Sequence, residues 1–533
     1  MTPVARRKEL PTPPVPLATT AAEPAMPPTV VPTTPPSPLL TPDGRVMRLV
    51  HLVAELAPFA RSGGLGEAVN SLARFQAASG IPTSIVMPLY NAVRENAPDM
   101  EPVGPTFSVQ VGPRSERVRL WRLVAPPEHP LAATSVYFIE SEEYFARPYI
   151  YGPPGSDFPD NDRRYACFTV AALESLATIA GADPVLLHAH DWHTALAPVY
   201  LRTTYGLDER FRRVKVVLSV HNAGFQGHFP PEAMTDLGLP MALFNWRQLE
   251  WYGRVNWLKG GLIFADAATT VSPTHAHELR TAAGGFGLDG VFVALGHRFV
   301  GIANGIDQQI WDPATDPTIA STYSINALGG KVDCREALQL ELGLRPTDEM
   351  PMFAMSARLV AQKGLDLILG DPGYFAFDAQ FAFLGSGEPR YVEALQAIAN
   401  RAPNRIVVET QFNEEREHRL LAGADMCLMP SQYEPCGLTQ MRAQRYGTIP
   451  VARRVGGLAD TIEDGVTGFL FDDYTPADFT RAVMRAIDQF EEPDGWLDMM
   501  RAGMARDFGW EQSEKKYLNL YRRVVGHAAT APA

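Results

Sequence analysis

Short apolar runs alternate with glycine-rich or polar loops and helical segments along most of this 533-residue chain. In the first half the apolar runs lie at 47–54, 83–88, 135–139, 185–189 and 215–220. In the second half they lie at 351–356, 381–384, 405–409, 426–430 and 448–452. Buried strands that alternate with helices form parallel sheets covered on both faces. The pattern therefore predicts an α/β protein.

The alternation becomes irregular after Asp307 and resumes at about Met350, so the domain boundary is expected within 290–345. A chain of this length exceeds one ordinary domain, so two hydrophobic cores are expected. We predict two doubly wound, Rossmann-like domains that face each other across a cleft. The first covers 46–290, the irregular stretch 291–345 connects the two, and the second covers 346–505.

Residues 1–45 are rich in proline, threonine and alanine, as in Pro-Thr-Thr-Pro-Pro-Ser-Pro. Proline removes backbone donors and favours extended conformers, so this segment is predicted to be a disordered tail. Its first basic residues, Arg6, Arg7 and Lys8, precede no apolar stretch. A signal peptide is therefore not expected. An organellar transit peptide is the alternative, although proline dominates where serine and arginine are usual.

Charge and cysteine content exclude several classes of partner. The net charge of −13 argues against broad binding to nucleic acid or to an anionic membrane surface. No run of about 18 apolar residues is present, so no membrane-spanning helix is expected. The cysteines Cys167, Cys334, Cys427 and Cys436 lack the paired spacing of a zinc site or a disulfide framework. This usage indicates a reducing compartment, and we expect a cytoplasmic protein.

Functional loops of such sheets lie at the carboxyl ends of the strands, and two of these ends are unusually polar. They are 188–193, His-Ala-His-Asp-Trp-His, and 221–227, His-Asn-Ala-Gly-Phe-Gln-Gly. His188 and His190 would lie on one side of an extended strand, which raises the alternative of a metal site. No helical His-x-x-x-His pair or cysteine supports a metal. A role in binding sugar hydroxyls or polarising the backbone is the preferred interpretation, and no metal is predicted.

Cationic and glycine-rich loops indicate a phosphate site. Gly63 and Gly64 follow the first strand and precede a helix, where backbone amides approach an anion closely. Arg358 and Lys363 lie five residues apart after a strand of the second half, a combination suited to two adjacent phosphates. The alternative for this pair is a solvated surface position. Further glycine loops at 384–389 and 454–461 favour a nucleotide-diphosphate site.

The stretch 431–440, Ser-Gln-Tyr-Glu-Pro-Cys-Gly-Leu-Thr-Gln, follows an apolar run and precedes a helix that opens at Gly437. Such a loop brings Glu434 to a helix N-terminus. The carboxylate is an acceptor for hydroxyl groups, and the nearby amides favour anions. The alternative is a capped strand-to-helix turn without a binding role.

These motifs occur in the same order in a known family. The first glycine loop, His-Asp-Trp-His, Ser-Ala-Arg-Leu-x-x-Gln-Lys-Gly, Glu-Pro-Cys-Gly-Leu-Thr-Gln and Gly-Gly-Leu-Ala-Asp-Thr resemble those of bacterial glycogen synthases and plant starch synthases, over residues 47–525. The resemblance implies the GT-B fold and a retaining transfer of glucose from ADP-glucose to the non-reducing end of an α-1,4-glucan such as glycogen. It implies no metal or organic cofactor.

The same resemblance assigns the domains. The first would be the starch-synthase-type catalytic domain on the acceptor side, and the second would bind the nucleotide sugar. A C-terminal helix within 506–526 would cross back to the first domain.

Residue roles are likewise what the resemblance implies. Glu434 resembles the carboxylate at the transferred glucose, and His190 the residue near its anomeric centre. Arg358 and Lys363 resemble the pair that neutralises the donor diphosphate, where preorganised cations stabilise the charge gained by the leaving ADP. Attack from the front face needs no protein nucleophile. The remaining matched substrate-binding positions are Arg61, Gly63, Gly64, Glu67, Asn304, Cys436, Gly437, Leu438 and Thr439.

Four positions depart from the family pattern. Arg61 stands where lysine is usual and Glu67 where aspartate is usual. Val455 replaces a common threonine, and Gln432 a common arginine. Two alternatives follow: a transferase with another acceptor, maltose-forming or a small sugar, and a non-catalytic glucan-binding relative. A phosphorylase is disfavoured, because no lysine has a recognisable context for binding pyridoxal phosphate.

Overall fold

The computed structural model describes residues 38–526 except positions 98, 154 and 372. Its strands are β1 (Arg48–Leu52), β2 (Thr83–Pro88), β3 (Met100–Val111), β4 (Arg114–Leu123), β5 (Ser135–Glu140), β6 (Val185–His190), β7 (Lys215–Val220), β8 (His228–Phe229), β9 (Glu250–Trp251), β10 (Arg254–Asn256), β11 (Ala267–Thr270), β12 (Phe299–Gly301), β13 (Met352–Ser356), β14 (Gln380–Leu384), β15 (Ile406–Glu409), β16 (Met426–Met429), β17 (Ile449–Arg453) and β18 (Phe469–Phe471).

The α-helices are α1 (Gly64–Ala78), α2 (Asn91–Asn96), α3 (Glu142–Phe145), α4 (Asn161–Glu174), α5 (Leu176–Ala180), α6 (Leu196–Arg202), α7 (Ala233–Asp236), α8 (Trp257–Phe264), α9 (Pro273–Glu278), α10 (Asp289–Leu295), α11 (Gly329–Glu341), α12 (Leu365–Gly370), α13 (Pro389–Ala399), α14 (Glu414–Gly423), α15 (Thr439–Arg445), α16 (Gly456–Thr461), α17 (Pro476–Phe490), α18 (Pro493–Met504) and α19 (Trp510–Gly526). None of the described helices is both long and apolar enough to span a bilayer.

The first sheet has nine strands in the order β12-β11-β7-β6-β1-β2-β5-β4-β3. The strands from β12 to β5 are parallel, and every apolar run predicted in the first half is one of them. Burial on both faces explains their unbroken apolar sequences. A separate three-stranded sheet is formed by β8, β10 and β9.

The hairpin β3–β4 is missing from the sequence-based prediction. It extends the sheet antiparallel to β5. β3 is the outermost strand, carries Pro102 and Pro105, and is largely exposed. Proline is tolerated at such an edge, but it removes the usual strand signature.

The second sheet has six parallel strands in the order β15-β14-β13-β16-β17-β18. The first five strands along the chain coincide with the predicted apolar runs, and the three-residue β18 was not predicted. Each sheet has a large hydrophobic cluster of its own. The predicted α/β architecture with two sheets is therefore confirmed.

The predicted disordered tail, 1–45, extends too far into the chain. Residues 1–37 lie outside the described part. In the last residues of the predicted tail, Leu40 pairs with Val46 in an antiparallel bridge, and Thr41 accepts a backbone hydrogen bond from Gly44. Leu39 is fully buried in a cluster with Met47. Burial of Leu39 stabilises the last part of this segment against the fold, and the proline-rich composition did not indicate this contact.

The predicted connection, 291–345, begins too early. Residue 291 falls within α10, and β12 pairs with β11 in the first sheet. Farther along, α11 packs against α14 of the second half. A three-residue strand such as β12 carries too little sequence signal to extend the first domain.

The C-terminal helix α19 packs against α1 and β7 of the first half. Trp510, Tyr517 and Tyr521 are buried there with Leu186 and Val217. The chain therefore returns from the second sheet to the back of the first.

Candidate active site

The loops that follow the strands of the two sheets meet at Tyr433. Its ring lies 5.1 Å from that of Phe286, between ring centroids. Burial raises the pKa of Tyr433, while a hydrogen bond with Asn222 and the charge of Arg358 lower it. Side chains from both halves of the chain therefore surround the residue next to Glu434.

Glu434 is held in place by its own loop and by its neighbours. The side chain is buried, and Oε2 accepts a hydrogen bond of 2.9 Å from Ser431 Oγ. The Glu434 carbonyl accepts one of 3.1 Å from the Gly457 amide. A Cβ at Gly456 would lie 1.9 Å from this carbonyl oxygen, so only glycine permits the close approach.

Lys363 forms an ion pair with Glu434, with Nζ 2.5 Å from Oε2. The neighbouring Gly364 has φ +80°, and a Cβ there would lie 1.9 Å from the Pro430 carbonyl oxygen. This contact joins the loop after β13 to the loop after β16. The structure brings Lys363 and Glu434 together, and Arg358 is exposed at the same edge of the sheet.

The loop around Gly437 lies beside the Glu434 loop. Gly437 has φ +69°, and α15 begins two residues later. A Cβ at Gly64 would lie 3.8 Å from Leu438 Cδ1, so the first glycine loop approaches this one from the opposite half. Amides in the first turn of a helix have no intrahelical acceptor.

Cys436 and Asn304 lie close together in this region. Both side chains are buried, and the Asn304 backbone forms a hydrogen bond with Cys436. Burial raises the pKa of the Cys436 thiol to about 12. Burial therefore favours the protonated thiol, which is a poor nucleophile.

The first glycine loop is organised around Glu55. Its carboxylate accepts hydrogen bonds from the Ser62 amide (2.6 Å), the Ser62 hydroxyl (2.8 Å) and the Gly63 amide (3.3 Å). The prediction that the amides of Gly63 and Gly64 are open to an anion therefore does not describe Gly63, whose amide already has a carboxylate partner. Nothing in the sequence indicated that the Glu55 carboxylate lies within hydrogen-bond distance of this loop.

The two departures in the first loop both form ion pairs with the second half of the chain. Arg61 Nη2 lies 2.7 Å from Glu414 Oε2. Glu67 pairs with Arg442, which also lies 3.2 Å from the buried Glu417. These charges, predicted to bind substrate, join the two halves here. Thr439, another predicted substrate-binding residue, contacts the same group through a 3.4 Å hydrogen bond to Glu417.

His190 lies behind the cleft surface. Its side chain is fully buried, with Nε2 3.0 Å from His51 Nδ1 and Nδ1 3.0 Å from His221 Nε2. Burial lowers its pKa well below the usual value. Both ring nitrogens are used by other histidines, so this geometry is at odds with direct contact between the His190 ring and a sugar.

His221 lies between His190 and the cleft. It follows β7 and is half-buried, and its Nδ1 has no hydrogen-bond partner among the described residues. Asp191 orients its backbone by accepting hydrogen bonds from the amides of His221 (2.6 Å) and Asn222 (3.3 Å). Burial raises the pKa of Asp191 to about 7. His221 is the residue that the site prediction missed, although its polar strand end, 221–227, had signalled it.

Three of the histidines also have the spacing of a metal-ligand set. Nitrogens of His51, His188 and His190 all lie within 4.8 Å of one another. His51 forms hydrogen bonds with His190 and Gln76, and His188 forms hydrogen bonds with Tyr521 and Ser219. A hydrogen-bonded network accounts for this cluster.

Comparisons with known proteins agree over nearly the whole chain. Residues 48–294 match the family described as "Starch synthase catalytic domain", and residues 343–496 match "Glycosyl transferases group 1". The glycogen synthase of Anaeromyxobacter dehalogenans is 40% identical over 90% of this chain and 100% of its own length. That of Thermodesulfovibrio yellowstonii is 39% identical over 90% of this chain and 98% of its own.

The chain belongs to the glycogen synthase and starch synthase family. It is a glycosyltransferase with the glycogen synthase function of that family, as the resemblance implied. The catalytic domain of starch synthase IV from Arabidopsis thaliana, bound to ADP and acarbose, superimposes with a TM-score of 0.82 at 31% identity, covering 90% of this chain and 99% of that one.

The sucrose-phosphate synthase of Thermosynechococcus elongatus shares the fold, with a TM-score of 0.58 at 18% identity over 91% of this chain. The predicted GT-B fold is confirmed. As a family member this glycosyltransferase acts on a nucleotide sugar and a glucan.

Proposed function

We propose that the chain transfers glucose from ADP-glucose to the non-reducing end of an α-1,4-glucan, with retention of anomeric configuration. The observation that carries this proposal is the ion pair between Lys363 and Glu434 beside Tyr433, where loops of both halves meet. Lys363 and Arg358 are the cations that bind the donor diphosphate. Their charge stabilises the negative charge that the leaving ADP gains in the transition state. The ADP bound to the Arabidopsis relative supports this nucleotide.

Glu434 is a positioning and charge-stabilising residue in this proposal. Its carboxylate accepts hydrogen bonds from hydroxyl groups of the transferred glucose, while Ser431 and Lys363 hold it in one orientation. No protein nucleophile is invoked. The acceptor hydroxyl attacks the face that the diphosphate leaves, and the leaving phosphate takes the proton from that hydroxyl. The amides of Gly437 and Leu438 bind the distal phosphate at the start of α15.

His221 replaces His190 as the histidine that faces the transferred glucose. The supporting observation is that Nδ1 of His221 has no partner among the described residues, whereas both nitrogens of His190 are bound. His190 then acts through His221. Asn304 and Cys436 complete the wall of the cleft between the two halves.

The domain assignment keeps its predicted roles with revised bounds. The first domain supplies the acceptor side and continues through β12, and the second binds the nucleotide sugar. We place the protein in the cytoplasm, since the described cysteines are unpaired and buried, as suits a reducing compartment.

The direct test is release of nucleoside diphosphate. Purified full-length protein is given ADP-glucose or UDP-glucose, with glycogen, maltose or glucose 1-phosphate as acceptor. We expect ADP release with glycogen and a preference for ADP-glucose over UDP-glucose. Turnover with maltose or glucose 1-phosphate, and none with glycogen, would support the alternative of a transferase that uses a small-sugar acceptor. Co-sedimentation with glycogen without turnover of any nucleotide sugar would reject catalysis.

A further inference from the structure

A continuous line of buried hydrogen bonds runs from the C-terminal helix to the cleft. Its members, here called the histidine chain, are Tyr521 on α19, Gln76 on α1, His51 on β1, His190 on β6 and His221 after β7. The first four are fully buried, and only His221 reaches the cleft surface. The histidine chain therefore connects α19, which contacts no substrate, to His221, the residue proposed to face the sugar.

Each imidazole in this chain carries a single proton at neutral pH. Burial lowers the pKa of His51 and of His221 to about 4, and that of His190 well below the usual value. A neutral imidazole has one nitrogen that donates and one that accepts. The direction of the first hydrogen bond in the histidine chain therefore determines which nitrogen donates in every following histidine.

The amide of Gln76 fixes the direction. Its Nε2 donates to the Tyr521 hydroxyl (3.0 Å), so its Oε1 faces His51 and accepts from His51 Nε2 (2.8 Å). His51 Nδ1 is then an acceptor, and His190 Nε2 donates to it (3.0 Å). His190 Nδ1 accepts in turn from His221 Nε2 (3.0 Å). His221 is left with an unprotonated Nδ1.

Tyr521 anchors the amide through a second branch. Having accepted from Gln76, its hydroxyl donates to His188 Nδ1 (2.8 Å), and His188 Nε2 donates to Ser219 Oγ (2.7 Å). Reversing the Gln76 amide would require Tyr521 to donate to Gln76 and to accept from His188. The tautomers of both branches would have to change together, so the Gln76 amide, the Tyr521 hydroxyl and the histidine tautomers are coupled to one another.

We propose that Gln76 and Tyr521 are positioning residues that fix the tautomer of His221, so that His221 Nδ1 is presented to the cleft as a hydrogen-bond acceptor. The group it accepts from is a hydroxyl of the transferred sugar, and this part rests on the proposed function. Neither Gln76 nor Tyr521 touches substrate. They act on the reaction only through the protonation pattern of the histidine chain.

The tautomer is measured directly by nitrogen NMR on full-length protein labelled with ¹⁵N-histidine, at neutral pH and without substrate. Protonated and unprotonated imidazole nitrogens have well-separated shifts, and His221→Gln assigns the signal. We expect His221 to be protonated at Nε2 alone. A spectrum with His221 protonated at Nδ1 would overturn the proposal, whether or not the protein transfers glucose.

The test variant is Tyr521→Phe, and Tyr517→Phe is its matched control. Tyr517 lies one turn earlier on α19, is equally buried and has its ring 5.7 Å from His188. Its hydroxyl forms hydrogen bonds with Ser219 and Thr269 but none with Gln76 among the described contacts, so Tyr517→Phe removes a buried hydroxyl of α19 without removing a partner of the Gln76 amide. We expect Tyr521→Phe to give a mixture of His221 tautomers. Its kcat should fall about fivefold to tenfold, the worth of one hydrogen bond, with a change in KM for the nucleotide sugar below about twofold. Tyr517→Phe should keep the single tautomer.

Gln76 is tested by a pair of variants of similar size. Gln76→Met removes the acceptor for His51 Nε2, and Gln76→Glu keeps it. We expect the first to mix the His221 tautomers and the second to preserve the wild-type tautomer and most of the kcat. Where Gln76→Met does not fold, as judged by thermal unfolding, Tyr521→Phe decides the outcome. An unchanged His221 signal in Tyr521→Phe would refute the positioning role, while ADP release by the wild type would leave the proposed function intact.

Discussion

At the scale of single residues, the site depends on charges held by buried partners. Lys363 and Glu434 are 19% and 7% exposed as side chains, and both come from loops that follow strands of the second sheet. Removing one partner of such a buried pair leaves the other charge uncompensated, which costs more than the pair itself contributes. Their separate roles in the proposed reaction are therefore best resolved by kinetics.

We expect Lys363→Ala to raise KM for ADP-glucose and to lower kcat, with a combined loss of about 100-fold or more in kcat/KM, because a preorganised cation at the diphosphate is removed. Glu434→Ala should lower kcat by about 100-fold with a smaller change in KM, because it orients the sugar. Steady-state ADP release measures both. Arg481→Ala, which removes an exposed cation of α17, is the control. Wild-type kinetics in Lys363→Ala and Glu434→Ala would contradict the assigned site.

The buried histidines make stability depend on pH. Folding lowers the pKa of His51 and His221 to about 4, that of His193 to about 3, and those of His188 and His190 well below normal. Between the unfolded pKa of about 6.5 and these values, the unfolded chain binds more protons, so stability falls as pH falls. Asp191 acts in the opposite direction, because its pKa is raised to about 7. Over the same pH range the folded protein binds one proton at this carboxyl that the unfolded chain does not, so this group adds stability as pH falls.

Each neutral histidine contributes about 1.4 kcal/mol per pH unit to this slope. We expect full stability above about pH 6.5 and a progressive loss towards pH 5, measured as the free energy of unfolding in urea. His51→Gln should reduce the slope by one proton, and the exposed His297→Gln is its control. A flat profile from pH 7.5 to pH 5 would contradict the assignment of neutral, buried rings.

At the scale of elements, glycines decide how closely the loops after β13, β16 and β17 approach. Gly364 lies against the Pro430 carbonyl, and Gly456 and Gly457 lie against the carbonyls of Glu434 and Cys436. These contacts hold Glu434 and Lys363 at one place in the cleft. The three glycines are thus part of the architecture of the site.

Gly364→Ala combines a strained backbone with a direct overlap. At φ +80° an L-residue is strained by about 1–3 kcal/mol, and the Cβ would also lie 1.9 Å from the Pro430 carbonyl oxygen. We expect a loss of at least about 3 kcal/mol in the free energy of unfolding. Gly343→Ala is the matched control, with φ +68° and nothing within 4 Å of its Cβ. Equal losses in the two variants would show that the contact with Pro430 contributes nothing.

At the scale of the whole molecule, the two halves are joined across the cleft by charges. Besides Arg61–Glu414 and Glu67–Arg442, Asp460 accepts from Thr274, and the Gly456 amide donates to Glu278. At the back, α19 follows the second half along the chain and packs on the first half through apolar contacts. Charged contacts exchange readily with water, so the cleft side is expected to open while the α19 side stays packed.

We expect Glu414→Gln to shift the unliganded molecule towards a more open form. A partly exposed pair is worth about 0.5–1 kcal/mol, which corresponds to a twofold to fivefold change in the ratio of closed to open forms. The radius of gyration in X-ray scattering at low salt should rise. Glu415→Gln changes the next residue of α14 and is the control. The same radius in Glu414→Gln and wild type would show that the Arg61 pair does not hold the halves together.

Local sequence by itself determined most of the buried parallel strands and the order of the loops. Parallel strands buried on both faces read as apolar runs, and a short glycine-rich loop after such a run marks the carboxyl end of the sheet. Arg358, Lys363 and Glu434 could therefore be found from their place after a strand. Family membership also followed from motif order, since motifs are contiguous in the sequence.

Only the tertiary structure decided which of these residues meet, because distance between loops is not encoded in their spacing along the chain. In the tertiary structure His190 lies behind His221, and the Gly63 amide donates a hydrogen bond to Glu55. Arg61 and Glu67 form ion pairs with residues of the opposite half. The tertiary structure also buries Leu39 and continues the first sheet to β12. The hydrogen-bonded histidine chain draws on five separate elements, and packing of α19 against α1 brings its first two members together.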